Sequence, residues 1–153
     1  MKTALVLEGG AMRGMYTAGV LDVLIEAGAH FDGVIGVSAG ALFGMNFLSG
    51  QKGRALRYNQ KYNSDRNYMG LRPLLREGNI VSTDYAYSRV PFVLDPFDNE
   101  KFKQNPTPFY AVMTNIVTGK PELIRIRVVF ARVVCVGASG WLPYVSVPVG
   151  VCF

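Results

Sequence analysis

The pentapeptide Gly36-Val37-Ser38-Ala39-Gly40 constrains this chain more than any other part of its sequence. It fits the pattern G-x-S-x-G, which places a nucleophilic serine on a sharp turn between a strand and a helix. The apolar run 32–37 predicts that strand, and the run 39–48 predicts that helix. The two glycines remove the side chains that would hold strand and helix apart. We therefore predict that Ser38 is a nucleophile; the alternative is a serine that only caps the helix.

The first 28 residues predict the other half of the same structural unit. The apolar run Thr3–Leu7 predicts a buried strand, and residues 15–27 predict a mostly buried helix that ends at Gly28. Strand, helix and strand form a βαβ crossover, which is nearly always right-handed with parallel strands. We therefore expect an α/β fold with a mainly parallel central sheet and a site at the carboxyl ends of its strands.

A glycine-rich loop connects the predicted first strand to the first helix. At that end of the sheet, backbone amides of the loop and of Ala39 can converge on an oxyanion formed at Ser38. Arg13 is placed either to steady the loop or to meet an anionic head group. The predicted oxyanion loop consists of Gly9, Gly10, Ala11, Met12, Arg13 and Gly14.

The same loop has to be compared with loops that bind phosphate. Gly9 and Gly14 have the outer spacing of a P-loop, but Met15-Tyr16 stands where that loop requires Lys followed by Ser or Thr. The dinucleotide-binding pattern meets Ala11 at its middle glycine and lacks an acidic residue after the second strand. We therefore do not expect this loop to bind a nucleotide.

The sequence offers no histidine that could serve as a general base for Ser38. The single histidine, His30, precedes the predicted elbow strand. A strand of six residues separates it from Ser38 by roughly 20 Å. An α/β-hydrolase places its histidine after the nucleophile, so that arrangement is excluded. The partner of Ser38 must then be a carboxylate or a lysine.

The glycine loop, the elbow and the missing histidine together resemble the patatin-like phospholipases, serine lipid acyl hydrolases that use a Ser–Asp dyad. Their opening motif, Asp/Glu-Gly-Gly-Gly-x-Arg-Gly, is similar to Glu8-Gly9-Gly10-Ala11-Met12-Arg13-Gly14, with a departure at Ala11. A later family block is similar to Ala138-Ser139-Gly140-Trp141-Leu142-Pro143. The resemblance implies a three-layer patatin-type fold and a helical insertion over residues 51–97. It also implies Ser38 as the nucleophile, the loop Gly9–Gly14 as the oxyanion hole, and no metal or organic cofactor.

The chain departs from the family at its end. The family's dyad aspartate lies in an Asp-Gly-Gly or Asp-Gly-Ala motif, and the sequence reaches Phe153 without one. We therefore expect one domain, 1–153, that is incomplete at its C-terminus, with a frame slip near Ile126 as one explanation. Asp84, Asp95 and Asp98 are the other carboxylates to consider as bases. The alternative function is an inactive fragment or pseudoenzyme with at most membrane-surface binding.

Positive charge is concentrated between residues 52 and 76, which hold seven basic residues in a chain of net charge +5. Four of them are candidates for binding an anionic membrane surface, and a helical spacing would place Arg54, Arg57 and Lys61 on one face, either solvated or attracted to anionic lipid. Tyr58, Tyr62 and Tyr68 are interleaved and are candidates for a lipid interface. No nucleic-acid motif accompanies the patch, so we expect no nucleic acid partner. The four residues are Lys52, Arg54, Arg57 and Lys61.

The remaining segments complete the expected organisation. Residues 109–117 and 122–126 predict a β-hairpin, because the turn between them contains Gly119. The uncharged stretch Val133–Phe153 is interrupted by prolines and glycines, so it predicts two buried strands rather than a membrane span. The opening apolar run is too short for a signal peptide, and Cys135 and Cys152 form no metal-ligand spacing. We expect a cytoplasmic protein, peripheral at the inner membrane surface.

Overall fold

The computed structural model describes residues 1–62, 65–78, 82, 84–115 and 117–127. The strands are β1 (Ala4–Leu7), β2 (Gly33–Val37), β3 (Phe109–Thr114) and β4 (Pro121–Ile126). The helices are α1 (Gly14–Glu26), α2 (Ala39–Leu48), α3 (Arg54–Tyr62), α4 (Leu71–Glu77) and α5 (Asn99–Gln104). A 3₁₀ turn covers Ala11–Arg13, and a π-helix covers Tyr85–Leu94.

The four strands form one sheet in the order β1-β2-β3-β4. β1 and β3 both run parallel to β2, with Leu7 opposite Gly36 and Val34 opposite Phe109. β4 runs antiparallel to β3, because a tight turn leads directly from one strand to the other. The predicted α/β class, the parallel βαβ unit and the hairpin are confirmed.

α1 ends where the sequence predicted, in a glycine cap. Gly28 takes a positive φ of 62°, a conformation that costs glycine little. Its N–H donates to the carbonyl of Ile25 at 3.1 Å, and the N–H of Ala29 donates to the carbonyl of Leu24 at 3.0 Å. This pair of bonds is a Schellman motif, which satisfies carbonyls at the end of the helix and turns the chain towards β2.

The amino ends of β1 and β2 are joined by Thr3 and Asp32. The carboxylate Oδ2 of Asp32 accepts from the Thr3 backbone N–H at 2.6 Å and from its hydroxyl at 3.2 Å. The N–H of Asp32 donates in return to the carbonyl of Thr3 at 2.9 Å. This clasp fixes the register of the two strands at the end of the sheet away from Ser38.

The main hydrophobic core lies between α2 and the sheet. Val34, Ala111 and Phe109 of the sheet are all but inaccessible to solvent. Facing them, nearly every residue of α2 is buried, including Phe43, Met45 and Leu48. An apolar helix surrounded on all sides is typical of a sheet covered by other elements. The position of α2, and of the turn before it, is therefore set by burial.

The segment 51–97, predicted as a helical insertion, contains α3, α4 and the π-helix. That it is an insertion stays a prediction. In the part of the chain that the structure describes, no helix is both long and apolar enough to cross a membrane. The predictions on Cys135, Cys152, the proline block and the uncharged tail fall on residues 128–153, outside the described residues.

Candidate active site

Ser38 occupies a strained turn between β2 and α2. Its φ of 49° and ψ of −119° are rare for any residue with a side chain. Such strain costs of order 1–3 kcal/mol and is concentrated at functional sites. The Ser38 hydroxyl makes no capping hydrogen bond to α2, so the alternative of a simple capping serine does not describe this turn. Ser38 is half-buried.

Two glycines allow the sharp approach of strand and helix at this turn. A Cβ built on Gly36 would lie 2.5 Å from the Cα of Ala41, and one on Gly40 would meet the carbonyl oxygens of Leu7 and Glu8. Real Cβ atoms do not tolerate such distances to backbone. The first turn of α2 therefore rests directly on the end of β1, as the elbow pattern requires.

The glycine loop lies beside the elbow. A Cβ built on Gly9 would be 3.1 Å from the Cβ of Ser38 and 3.4 Å from the carbonyl oxygen of Val37. The loop then turns through Ala11–Arg13, where the N–H of Arg13 donates to the carbonyl of Gly10 at 2.9 Å. The structure thus brings the loop against the elbow. The assignment of its amides to an oxyanion hole stays a prediction.

Ala11 is strained at the position where the family motif has glycine. Its φ is 46°, in the left-handed region that favours glycine. The alanine that replaces the motif's glycine therefore stands at a position whose backbone conformation favours glycine. Ala11 keeps that backbone conformation despite its Cβ, at a cost of roughly 1–2 kcal/mol.

The histidine and the aspartates that could be considered as bases are either exposed or held by other groups. His30 is exposed in the turn after α1, and Asp32 is held by Thr3. Asp98 accepts from the N–H of Lys101 at 3.0 Å and caps α5. The carboxylate of Asp95 is held by Arg57, and Asp84 is exposed at the start of the π-helix. In the described ranges no three His, Cys, Asp or Glu side chains lie close enough to hold a metal ion.

The prediction that Arg54 lies on an exposed basic face is wrong. Arg54 is 4% exposed. Its guanidinium donates to the Oδ1 of Asn46 at 2.8 Å and to the backbone carbonyl of Asp95 at 3.1 Å and 2.5 Å. The carboxylate of Asp95 lies 3.5 Å from its Nε. Burial lowers the pKa of Arg54, and these partners hold its charge inside the fold.

The other basic residues of that group differ from one another. Arg57 donates two hydrogen bonds to the Asp95 carboxylate, and Lys52 pairs with Glu26. Lys61 is exposed, with its ammonium 5.3 Å from the ring centre of Tyr62. The network around Asp95 was not predicted from the sequence. Asn46, a lone amide in an apolar helix, is the signal that a buried polar partner is required.

Of the interleaved tyrosines, Tyr62 is buried, whereas Tyr58 and Tyr68 are half-buried. Tyr62 is 6% exposed, and its hydroxyl donates to the carbonyl of Leu94 at 3.2 Å. Burial raises the pKa of the Tyr58 and Tyr68 hydroxyls. Tyr62 and Tyr85 form a second small core with Val90, against which Tyr58 and Tyr68 pack. The prediction of a tyrosine-lined lipid interface is therefore wrong for Tyr62.

A mainly parallel sheet, a strained serine between strand and helix, and an adjoining glycine loop define an α/β protein whose turn at Ser38 has the geometry of the elbow pattern. The family model described as patatin-like phospholipase matches residues 5–136, and the chain belongs to that family. It is 35% identical over 99 residues to the "Uncharacterized protein YjjU" of Escherichia coli (strain K12). That match covers 61% of this chain and 28% of the relative, so the chain spans less than a third of the relative's length.

Proposed function

We propose that this chain carries the nucleophile of a serine lipid acyl hydrolase. The single observation that supports it best is Ser38, strained at a φ of 49° with its hydroxyl free of any helix cap. In this proposal the Ser38 hydroxyl attacks the ester carbonyl of a lipid, the alcohol leaves, and water later hydrolyses the acyl-serine. Membership of the patatin-like phospholipase family supports a lipid ester as the substrate class.

The oxyanion would be held by backbone amides on two sides of Ser38. The first amides of α2, beginning at Ala39, have no partner within the helix, and the helix dipole adds partial positive charge there. Gly9 lies against Ser38, which supports the loop as the source of the second donors; these would come from its first residues, because the N–H of Arg13 donates to the carbonyl of Gly10. A preorganised donor of this kind is typically worth roughly 10²–10³ in turnover.

The general base of this proposal is an aspartate, as in the Ser–Asp dyad of the family. Among the described aspartates, Asp32, Asp95 and Asp98 are held by other groups. We therefore favour an aspartate of an Asp-Gly-Gly segment as the general base. The competing function is a non-catalytic chain, in which the strained serine remains but nothing takes its proton.

A fluorophosphonate probe tests the role of Ser38. We expect the probe to label a version of the chain extended through an Asp-Gly-Gly segment, and to label the 1–153 chain far more weakly. Ser38→Ala should abolish labelling, whereas Ser88→Ala, at an exposed serine of the π-helix, should leave it unchanged. Equal labelling of Ser38→Ala and the parent would refute the assignment, and absence of labelling in the extended version would favour the non-catalytic alternative.

The partner proposed for this function is a membrane that contains the lipid substrate. Of the four basic residues predicted to bind anionic lipid, Arg54 is withdrawn because it is buried. Lys52 and Arg57 are paired with acids, and among the described residues Lys61 has no acid partner. The contribution of α3 to an anionic surface therefore rests mainly on Lys61. The cytoplasmic location stays a prediction.

A further inference from the structure

α4 is a short helix that presents its apolar side chains to solvent. Leu71 is 76% exposed, Leu75 is 86% exposed and Leu74 is 40% exposed. Among the α4 residues whose burial the structure describes, Pro73 is the buried one, in the first turn, where the missing N–H of proline has no intrahelical role. Gly78 ends the helix at a φ of 73°. The fold thus holds α4 by its proline and turns its leucines outward.

Two arginines accompany the exposed leucines. Arg72 and Arg76 are four residues apart, so they lie on the same side of the helix, next to the leucines. Both are exposed, and neither forms an ion pair with a residue that the structure describes. Arginines of this kind attract phosphate groups, and their long apolar stems can lie along a lipid surface.

We propose that α4 is the element by which this protein binds the surface of an anionic lipid bilayer. Leu71 and Leu75 would enter the boundary between head groups and acyl chains, while Arg72 and Arg76 bind lipid phosphates. Soluble proteins seldom expose clustered leucines without a partner. The two exposed positive charges, which form no ion pair with a residue that the structure describes, favour a lipid phosphate surface over an apolar protein groove. This inference rests on the proposed lipid hydrolase function, but lipid binding can be measured without catalysis.

The strength of the contact follows from its size. Two leucines and two arginines make a weak, reversible and salt-sensitive attachment, since stable anchoring requires more apolar area or a lipid chain. Each arginine near an anionic surface adds an electrostatic attraction, which falls off with added salt. We therefore expect α4 to deliver the protein to a membrane without holding it there permanently.

Vesicle flotation of the full chain carrying Ser38→Ala tests the proposal. The vesicles are phosphatidylcholine alone or phosphatidylcholine with phosphatidylglycerol. We expect binding to the anionic vesicles, lowered at least roughly 10-fold by Leu71→Ser with Leu75→Ser. Arg72→Gln with Arg76→Gln should lower it by roughly 10-fold at low salt and remove the preference for phosphatidylglycerol. Val117→Ser, at a position 89% exposed in the β3–β4 turn, is the matched control and should bind like the parent.

Three outcomes would overturn the proposal. The parent chain does not bind anionic vesicles, or the leucine variant binds them as well as the parent does. In the third, the leucine substitutions abolish self-association of the chain but leave its lipid binding unchanged. Circular dichroism and thermal unfolding should match the parent, because the substituted side chains are exposed. Fluorophosphonate labelling in an extended chain with Ser38 intact should be unchanged by the α4 variants. A failure of lipid binding is thereby separated from a failure of the nucleophile.

Discussion

The carboxylate of Asp95 and the guanidinium of Arg57, 38 residues apart in sequence, form two hydrogen bonds of 2.7 Å and 2.8 Å. Asp95 is buried and its backbone carbonyl also accepts from Arg54, whose guanidinium reaches Asn46 in α2. One aspartate therefore connects α3, the end of the π-helix and the helix that follows Ser38. Asp95 is therefore one of the residues that attach the insertion-like segment to the core, beside Gly53, whose N–H donates to Asp22, and the core residues Ala55 and Phe97.

Asp95→Ala should strongly destabilise the protein. It removes both bonds to Arg57 and leaves the charge of Arg54 buried without its carboxylate. Breaking a buried ion pair from one side costs about 3–5 kcal/mol. Urea unfolding measures the change in the free energy of unfolding. Asp98→Ala, which removes a helix cap and an exposed ion pair with Lys101, should cost about 1 kcal/mol and serves as the comparison. A similar loss in both variants would contradict the role given to Asp95.

Gly40→Ala should distort the elbow. The new Cβ would meet the carbonyl oxygens of Leu7 and Glu8, and backbone atoms cannot move aside as a flexible side chain can. We expect a loss of about 1–3 kcal/mol in the free energy of unfolding, measured by thermal unfolding. Gly19→Ala, in the middle of α1, meets no atom within 4 Å and should instead stabilise the protein by about 0.5–1 kcal/mol. If the two substitutions had the same effect, the close approach at Gly40 would be refuted.

Ala11→Gly should be neutral or stabilising, although glycine usually destabilises. The substitution relieves the positive φ of 46°, and this gain of roughly 1–2 kcal/mol offsets the greater freedom of glycine in the unfolded chain. Ala27→Gly is the matched control, since Ala27 has an ordinary helical φ of −73°. There we expect a loss of about 0.5–1 kcal/mol. Chemical denaturation of the two variants side by side decides the question, and an equal loss would contradict strain at Ala11.

The pair Tyr85 and Asp65 should give the protein a pH dependence at both extremes. Burial, followed by the hydrogen bond to Asp65 at 2.6 Å, raises the pKa of Tyr85 to about 12. Its contribution to stability is therefore full below the ordinary tyrosine pKa near 10 and is lost as pH rises towards 12. The same bond lowers the pKa of Asp65. The contribution of Asp65 to stability is therefore present above the ordinary aspartate pKa and is lost as pH falls through the lowered pKa.

Tyr85→Phe tests this pH dependence. The difference in the free energy of unfolding between parent and variant should be constant near neutral pH. It should shrink between pH 10 and pH 12 and again in acid. Chemical denaturation across the pH range gives this difference directly. A difference that does not change with pH would show that the two groups are not coupled.

Much of the elbow could be predicted because its determinants are local. Glycines at positions 36 and 40, with apolar runs on both sides, are sufficient to indicate a strand, a tight turn and a helix. The βαβ unit follows from one more apolar run and the cap at Gly28. In each case the residues that determine the structure lie within a few positions of the feature itself.

The error at Arg54 has the opposite cause. Its partners, Asn46 and Asp95, are 8 and 41 residues away, so helical spacing alone assigned it to a solvated face. The sequence does not indicate the orientation of α4 either. Three leucines in seven residues favour burial, whereas Leu71, Leu74 and Leu75 are exposed. Which of two faces a short helix buries depends on elements that the local pattern does not contain.

α2 lies on the sheet through Gly36 and Gly40 and, one helical turn further on, through Gly44, where a Cβ would come within 3.1 Å of the ring of Phe109. The number of residues between these three glycines therefore cannot change without disturbing the contact between α2 and the sheet. One residue inserted between them would rotate the rest of the helix by about 100° and drive a side chain into the strand. Natural variation in length among related chains should accordingly begin only after Leu48, and that boundary can be read from a comparison of sequence lengths.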